Sequence, residues 1–190
     1  MISARRRRNS IPASWRKTPR PSISLSRKRA SSQRAAANFA LGLAFYGLGD
    51  YRQATDHLNR NIASLQGERA YGRFGTAGVT SVLSIMALAW CYAELGSFAE
   101  GIGHGEEALR IATARDDNLS LMFADLAVGQ LHLVQGDLSR AVPRLERGLA
   151  LCRTWDFPSW VPWLASRLGA AYTLAGRVTD GLPLLEQSME

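Results

Sequence analysis

Residues 88–109 read LAWCYAELGSFAEGIGHGEEAL, from Leu88 to Leu109. The stretch predicts a helix, a tight turn and a second helix. Gly96 can adopt the left-handed conformation that ends a helix without a Cβ clash. Ser97 follows and can cap the next helix by accepting an N–H bond.

Variants of this stretch recur. Aligned on the turn glycine, there are four copies: LGLAFYGLGDYRQATDHL (Leu41–Leu58), LAWCYAELGSFAEGIGHG (Leu88–Gly105), VGQLHLVQGDLSRAVPRL (Val128–Leu145) and LGAAYTLAGRVTDGLPLL (Leu168–Leu185). The turn glycines are Gly49, Gly96, Gly136 and Gly176, so the spacings are 47, 40 and 40. Each column has a physical reason. Asp50, Ser97 and Asp137 follow the glycine as capping residues, and Arg177 breaks that pattern in the fourth copy. Tyr51, Phe98, Leu138 and Val178 come next and can wedge between the paired helices. Small residues, Ala54, Gly101, Ala141 and Gly181 on one helix and Gly42, Ala89, Gly129 and Gly169 on the other, let the pair approach closely. Four residues before the glycine stands a ring: Phe45, Tyr92, His132 or Tyr172.

These small–aromatic–Gly–apolar–small columns resemble the tetratricopeptide family over roughly residues 34–190. The period, 40 or more against the usual 34, resembles the long variants of bacterial signalling regulators and kinesin light chains. The resemblance implies an all-α fold, a right-handed superhelix of antiparallel helix pairs, with each unit stacked on its neighbours. It also implies a concave groove lined by the first helix of each pair, where the family commonly binds peptides or partner proteins. Carried over column by column, the groove candidates are Asn38, Tyr46, Trp90, Glu94, Gln130 and Val134. The Lys/Asn/Arg clamp that grips a peptide's terminal carboxylate is missing from these columns, which argues against a chaperone C-terminus as ligand. The strings ERAYGRFG, YAELGSFAEGIGHGEEALRIA, GDLSRAVPRLERGLALC and LGAAYTLAGRVTDGLPLLEQ further resemble the C-terminal repeat region of large bacterial proteins. Those proteins join a class III nucleotide cyclase to an AAA-type ATPase. No cyclase or ATPase sequence precedes the repeats here, and no GxxxxGK[ST] loop occurs.

Helices are expected at 31–47, 51–66, 79–95, 98–115, 118–134, 138–154, 160–175 and 178–189. The third is apolar on more than one stripe, through Leu83, Met86, Trp90, Ile85, Leu88 and Leu95, so it should be buried between neighbours. The fourth should present an outer face through Glu100, Glu106, Glu107, Arg110 and Arg115. Two connections stand out. Residues 67–78, GERAYGRFGTAG, form a long linker; either Tyr71 and Phe74 plug the gap between repeats, or the loop is functional. Residues 155–163, WDFPSWVPW, hold Trp155, Trp160 and Trp163, which either pack the third repeat on the fourth or form an exposed aromatic anchor.

The formal charge of +7 is unevenly placed. Residues 1–37 carry eleven Lys or Arg and no acid; the remaining 153 residues carry twelve basic and sixteen acidic groups. Residues 1–33, rich in Arg, Ser and Pro without apolar periodicity, are expected to be a disordered basic tail ahead of a repeat domain at 34–190. Such a tail can bind nucleic acid or anionic lipid, serve as a transit peptide, or simply be solvated. Cys91 and Cys152, 61 residues apart among apolar neighbours, are expected as buried thiols, and a reducing, cytoplasmic setting fits them. No stretch is long and apolar enough for a membrane span.

Catalytic patterns are lacking. His57, His104 and His132 fall in different repeats without metal-ligand spacing; His104 is expected on a solvated helix face and His132 as a packed ring. Asp116 and Asp117 are expected to cap a helix. No catalytic residue, cofactor or metal site is therefore assigned, and no enzymatic activity is expected. The leading reading is a protein–protein interaction module, the scaffold or sensor part of a bacterial signalling system. The alternatives are an effector-sensing regulatory fragment of a cyclase/ATPase protein and a nucleic-acid-associated adaptor acting through the tail. The fourth repeat has no capping helix after it. Leu182, Leu184, Leu185 and Met189 should then be partly exposed, which suggests self-association or a truncated chain.

Overall fold

The structure, a computed structural model, describes residues 23–189, with side chains from Ala30 onward. Eight α-helices follow one another: α1 (Ile23–Gly47), α2 (Tyr51–Ser64), α3 (Thr80–Leu95), α4 (Phe98–Ala114), α5 (Asn118–Gln135), α6 (Leu138–Thr154), α7 (Val161–Leu174) and α8 (Val178–Gln187). Short 3₁₀ turns precede α3, at Gly67–Tyr71, and α7, at Pro158–Trp160. No strand occurs among the described residues. The expected boundaries hold to within a few residues except at the start. α1 begins at Ile23, so residues 23–33 of the expected tail are helical. No proline or glycine lies between Pro21 and Gly42 to stop the helix extending backward from its packed part. The rest of the expected tail lies outside the described residues.

The four repeat turns share one hydrogen-bond pattern. Gly49, Gly96, Gly136 and Gly176 all have φ between +73° and +84°. The amide after each glycine donates to the carbonyl of the ring residue five positions back: Asp50 to Phe45, Ser97 to Tyr92, Asp137 to His132 and Arg177 to Tyr172, at 2.8–3.0 Å. This is the Schellman arrangement, and it satisfies carbonyls that the helix end would orphan. Asp50 and Asp137 cap α2 and α6 by accepting from the amides of Gln53 and Arg140. Ser97, expected as a cap, makes no such bond. Arg177 instead reaches forward to Asp180 at 2.8 Å and lies over the Tyr172 ring at 3.9 Å.

The small columns are where the paired helices touch. A Cβ on Gly42, Gly129 or Gly169 would stand 2.6–2.8 Å from Leu58, Leu145 or Leu185, the leucine nine residues beyond each turn glycine. The second repeat inverts the pair: it has Ala89 on the first helix and Gly105 in the leucine column. Val128 of the next repeat fills the room there, 2.5 Å from where a Gly105 Cβ would sit. One side chain thus occupies the gap at every level, as close packing requires.

The core runs along α3 and α5, and α3 packs on α5 as intimately as on its own partner α4. Twelve residues of α3, from Thr80 to Ala93, are buried, matching the expectation of an all-round buried helix. α5 is buried from Ser120 to Leu133 in the same way. Within it lies Asp125, fully buried, with Arg144 at 3.3 Å and Arg147 at 3.0 Å from its carboxylate. Burial raises its pKa, and the two guanidiniums, Arg147 first, pull the other way. No helix among the described residues is long and apolar enough to cross a membrane.

Candidate functional site

The first helices of the four pairs carry a row of aromatic rings. Tyr46, in the last turn of α1, stands 5.8 Å from Trp90 of α3, centroid to centroid. Trp90 stacks on Trp163 of α7 at 5.7 Å with the planes 14° apart. α5 lies between α3 and α7 in the stack, so the two indoles close across it. Trp163 continues to Trp160 at 6.4 Å, and Trp160 meets Phe123 of α5 edge-on at 4.7 Å. At the other end Tyr51, the wedge residue of α2, lies 5.6 Å from Tyr46.

Two charges border the row. Burial raises the Tyr46 phenol pKa, the Glu94 carboxylate raises it further, and Arg167 opposes them. Arg167 lies 5.8 Å from the Trp163 ring centre, one turn along α7. The row therefore has an anion on α3 and a cation on α7, with rings between them. Trp163 keeps 45% of its surface exposed. Large rings with accessible faces and flanking opposite charges can bury an apolar side chain and orient a polar backbone.

Of the six column-derived candidates, the structure brings Tyr46, Trp90 and Glu94 together. Gln130 and Val134 lie on α5, one turn apart. Val134 is 48% exposed, and Gln130 is half-buried with its side-chain oxygen enclosed and without a hydrogen-bond partner among the described residues. Asn38 stands eight residues before Tyr46 on α1, about 12 Å along the axis, and takes no part in the ring row. Trp163 and Arg167 were absent from the column set. Their spacing of four on one helix was visible in sequence, but their meeting with Trp90 depends on how three repeats stack.

The conspicuous segments divide. Trp160 packs the fourth repeat on the third, Trp163 joins the row, and Trp155 is exposed. Tyr71 packs against the core, and the linker is tied down by Arg73, which pairs with Asp117 at 2.9 Å. Asp117 also caps α5, as expected, by accepting from Ser120. The expectation for His104 is corrected: it is half-buried and stacks on Tyr92 at 5.7 Å, as His57 stacks on Phe45 at 5.3 Å. The ring column and the position twelve residues later face each other across the pair, which takes His104 partly out of water. His132 is buried, as expected for a packed ring. Cys91 and Cys152 are both buried free thiols. Asp125 carried no signal in the repeat columns and is the one acid fully buried among the described residues.

No family model matches the sequence, and no curated protein does. Solved structures do match in fold. RapI in its apo form superposes with a TM-score of 0.66 at 12% identity, over 82% of this chain and 54% of RapI. The chain thus spans about half of RapI's length. A kinesin light chain-like protein of Podosopora anserina, built of nearly identical TPR-like repeats, gives a TM-score of 0.63 at 20% identity over 83% of this chain and 74% of that one. A single-residue variant of that protein gives 0.64 at the same identity. At these identities the likeness establishes architecture, and the described residues form an all-helical, tetratricopeptide-like solenoid.

Proposed function

We propose that the protein is an interaction module whose inner face binds a peptide or a partner protein, as the scaffold or sensor part of a signalling system. The observation that supports this most is the ring row of Tyr46, Trp90 and Trp163. A solenoid does not need indoles reaching across an intervening helix for its own stability, because each repeat already buries its core against its neighbours. An exposed Trp163 beside the half-buried rings of Tyr46 and Trp90, flanked by opposite charges, suits an apolar side chain on an extended or helical segment. The signalling context rests on the sequence resemblance alone.

Selection of a displayed peptide library against the full chain tests the reading. Selected peptides should lose about tenfold or more in affinity on Trp163→Ala, the scale of losing one aromatic anchor. Trp155→Ala, outside the row, should leave affinity unchanged. Peptides that bind equally to wild type and Trp163→Ala would place recognition elsewhere.

A further inference from the structure

The two connections that the repeat pattern does not require meet in one place. The linker between Gly49 and Gly96, which makes that spacing 47 rather than 40, and the segment following α6 close on the α4–α5 loop. Together they bound a cleft of about 590 Å³ at the loop edge of the solenoid. That volume suits a small-molecule site. Tyr46, Trp90 and Trp163 do not line it, so it is separate from the ring row.

Its chemistry is mixed. Tyr71, Trp155 and Phe157 supply aromatic wall, and Trp155 is 53% exposed with no ring contact among the described residues. Arg73 and Asp117 satisfy each other. Arg115 and Asp116, both lining the cleft, have no side-chain hydrogen bond or ion pair among the described residues. The cleft therefore offers one uncommitted cation, one uncommitted anion and an open indole face.

The linker wall is held in place at a cost. Phe74, next to the lining residue Arg73, has φ +40°, a left-handed conformation that a bulky non-glycine residue rarely adopts. Arg73 fixes that wall by donating to the Ala77 carbonyl at 3.0 Å as well as to Asp117. Retained strain of this kind accompanies binding segments.

We infer that this cleft binds a small zwitterion carrying a planar ring, the chemistry of a free aromatic amino acid. The Arg115 guanidinium takes the carboxylate, Asp116 takes the ammonium, and the ring lies against Trp155. The site does not depend on the groove reading and can be occupied whether or not a peptide binds the inner face.

Three probes sharing one ring separate the charges: L-phenylalanine, 3-phenylpropionate (anion only) and phenethylamine (cation only). Isothermal titration of the full chain should show L-phenylalanine binding about tenfold or more tightly than either analogue, the scale of one charge-assisted contact. In ¹⁵N-labelled protein the Trp155 indole resonance should shift on binding, and the Trp163 resonance should not. Arg115→Gln should weaken L-phenylalanine and 3-phenylpropionate and leave phenethylamine unchanged. Asp116→Asn should weaken L-phenylalanine and phenethylamine and leave 3-phenylpropionate unchanged, and Asn tolerates the φ of +49° at that position, so the loop is preserved. Absence of L-phenylalanine binding, equal affinity for the three probes, indifference to both substitutions, or a shift confined to Trp163 would each overturn the assignment.

Discussion

Gly129→Ala probes the contact that sets the spacing of a helix pair. In an exposed helix interior this change stabilises by about 1 kcal/mol through backbone entropy alone. Gly103 in α4 is such a place, exposed and with nothing within 4 Å of an added Cβ. At Gly129 the new Cβ would stand 2.8 Å from both Cγ and Cδ2 of Leu145, and 3.4 Å from the Arg144 Cβ. Leu145 is fully buried, so any retreat presses it on its other neighbours, and overpacking of about 1–3 kcal/mol opposes the propensity gain. The propensity term is common to both variants. Gly129→Ala should therefore be less stable than Gly103→Ala by about 1–3 kcal/mol in urea unfolding followed by circular dichroism. The second repeat already shows the compensation, with alanine at 89 and glycine at 105. Leu145→Ala alone should cost about 2–5 kcal/mol, and the double variant Gly129→Ala/Leu145→Ala should cost clearly less than the sum. A coupling of about 1 kcal/mol or more is expected for groups sharing one space. Equal stability of Gly129→Ala and Gly103→Ala, or additivity within about 0.5 kcal/mol in the double variant, would refute the argument that Leu145 fills the glycine gap.

Three further outcomes follow from buried groups and the end of the array. His104 and His132 are held below the ordinary imidazole pKa, chiefly by burial, with Asp137 opposing at His132. Below about pH 6.5 the unfolded chain then binds more protons than the folded one, so their contribution to stability is whole above that pH and is lost as pH falls through the folded values. His132→Tyr, which installs the residue found in that column of the second and fourth repeats, should lessen the loss of urea stability on moving from about pH 7.5 to about pH 5.5; an unchanged loss would contradict this. Burial pushes the Cys91 thiol up to about 12 and the Cys152 thiol up to about 11, so neither should react with a disulfide reagent at about pH 8 until urea unfolds the chain. Rapid labelling of the native protein would show that the helices open locally. Leu174, Val178, Leu182 and Met189 are exposed at the α7–α8 end, Met189 at 81%. Light scattering should show concentration-dependent association of the full chain, reduced by Leu182→Gln; a strict monomer at high concentration would exclude association through this end.

The sequence alone determined the repeat and its register. Gly96 and its three counterparts mark helix ends because the left-handed turn is a local requirement that almost only glycine meets, so a single column reports it. The small and ring columns are legible for the same reason: they meet across one pair joined by a short turn, and their partners lie within about twenty residues. Helix α1 is the exception, since composition read residues 23–33 as too polar to fold, whereas helix propagation from a packed segment needs only the absence of a breaker. Tertiary structure decided what lies between repeats. Trp90 and Trp163 are 73 residues apart and meet because the stack brings α3 and α7 together over α5. Asp125 sits among apolar neighbours in sequence, and only the packing of α6 on α5 supplies Arg144 and Arg147 to it. The cleft walled by Tyr71, Arg115 and Trp155 draws on three separate loops. Columns report what each repeat does to itself, through contacts fixed by helix geometry and one turn. The rotation between successive repeats sums many side-chain contacts, and no single column carries it.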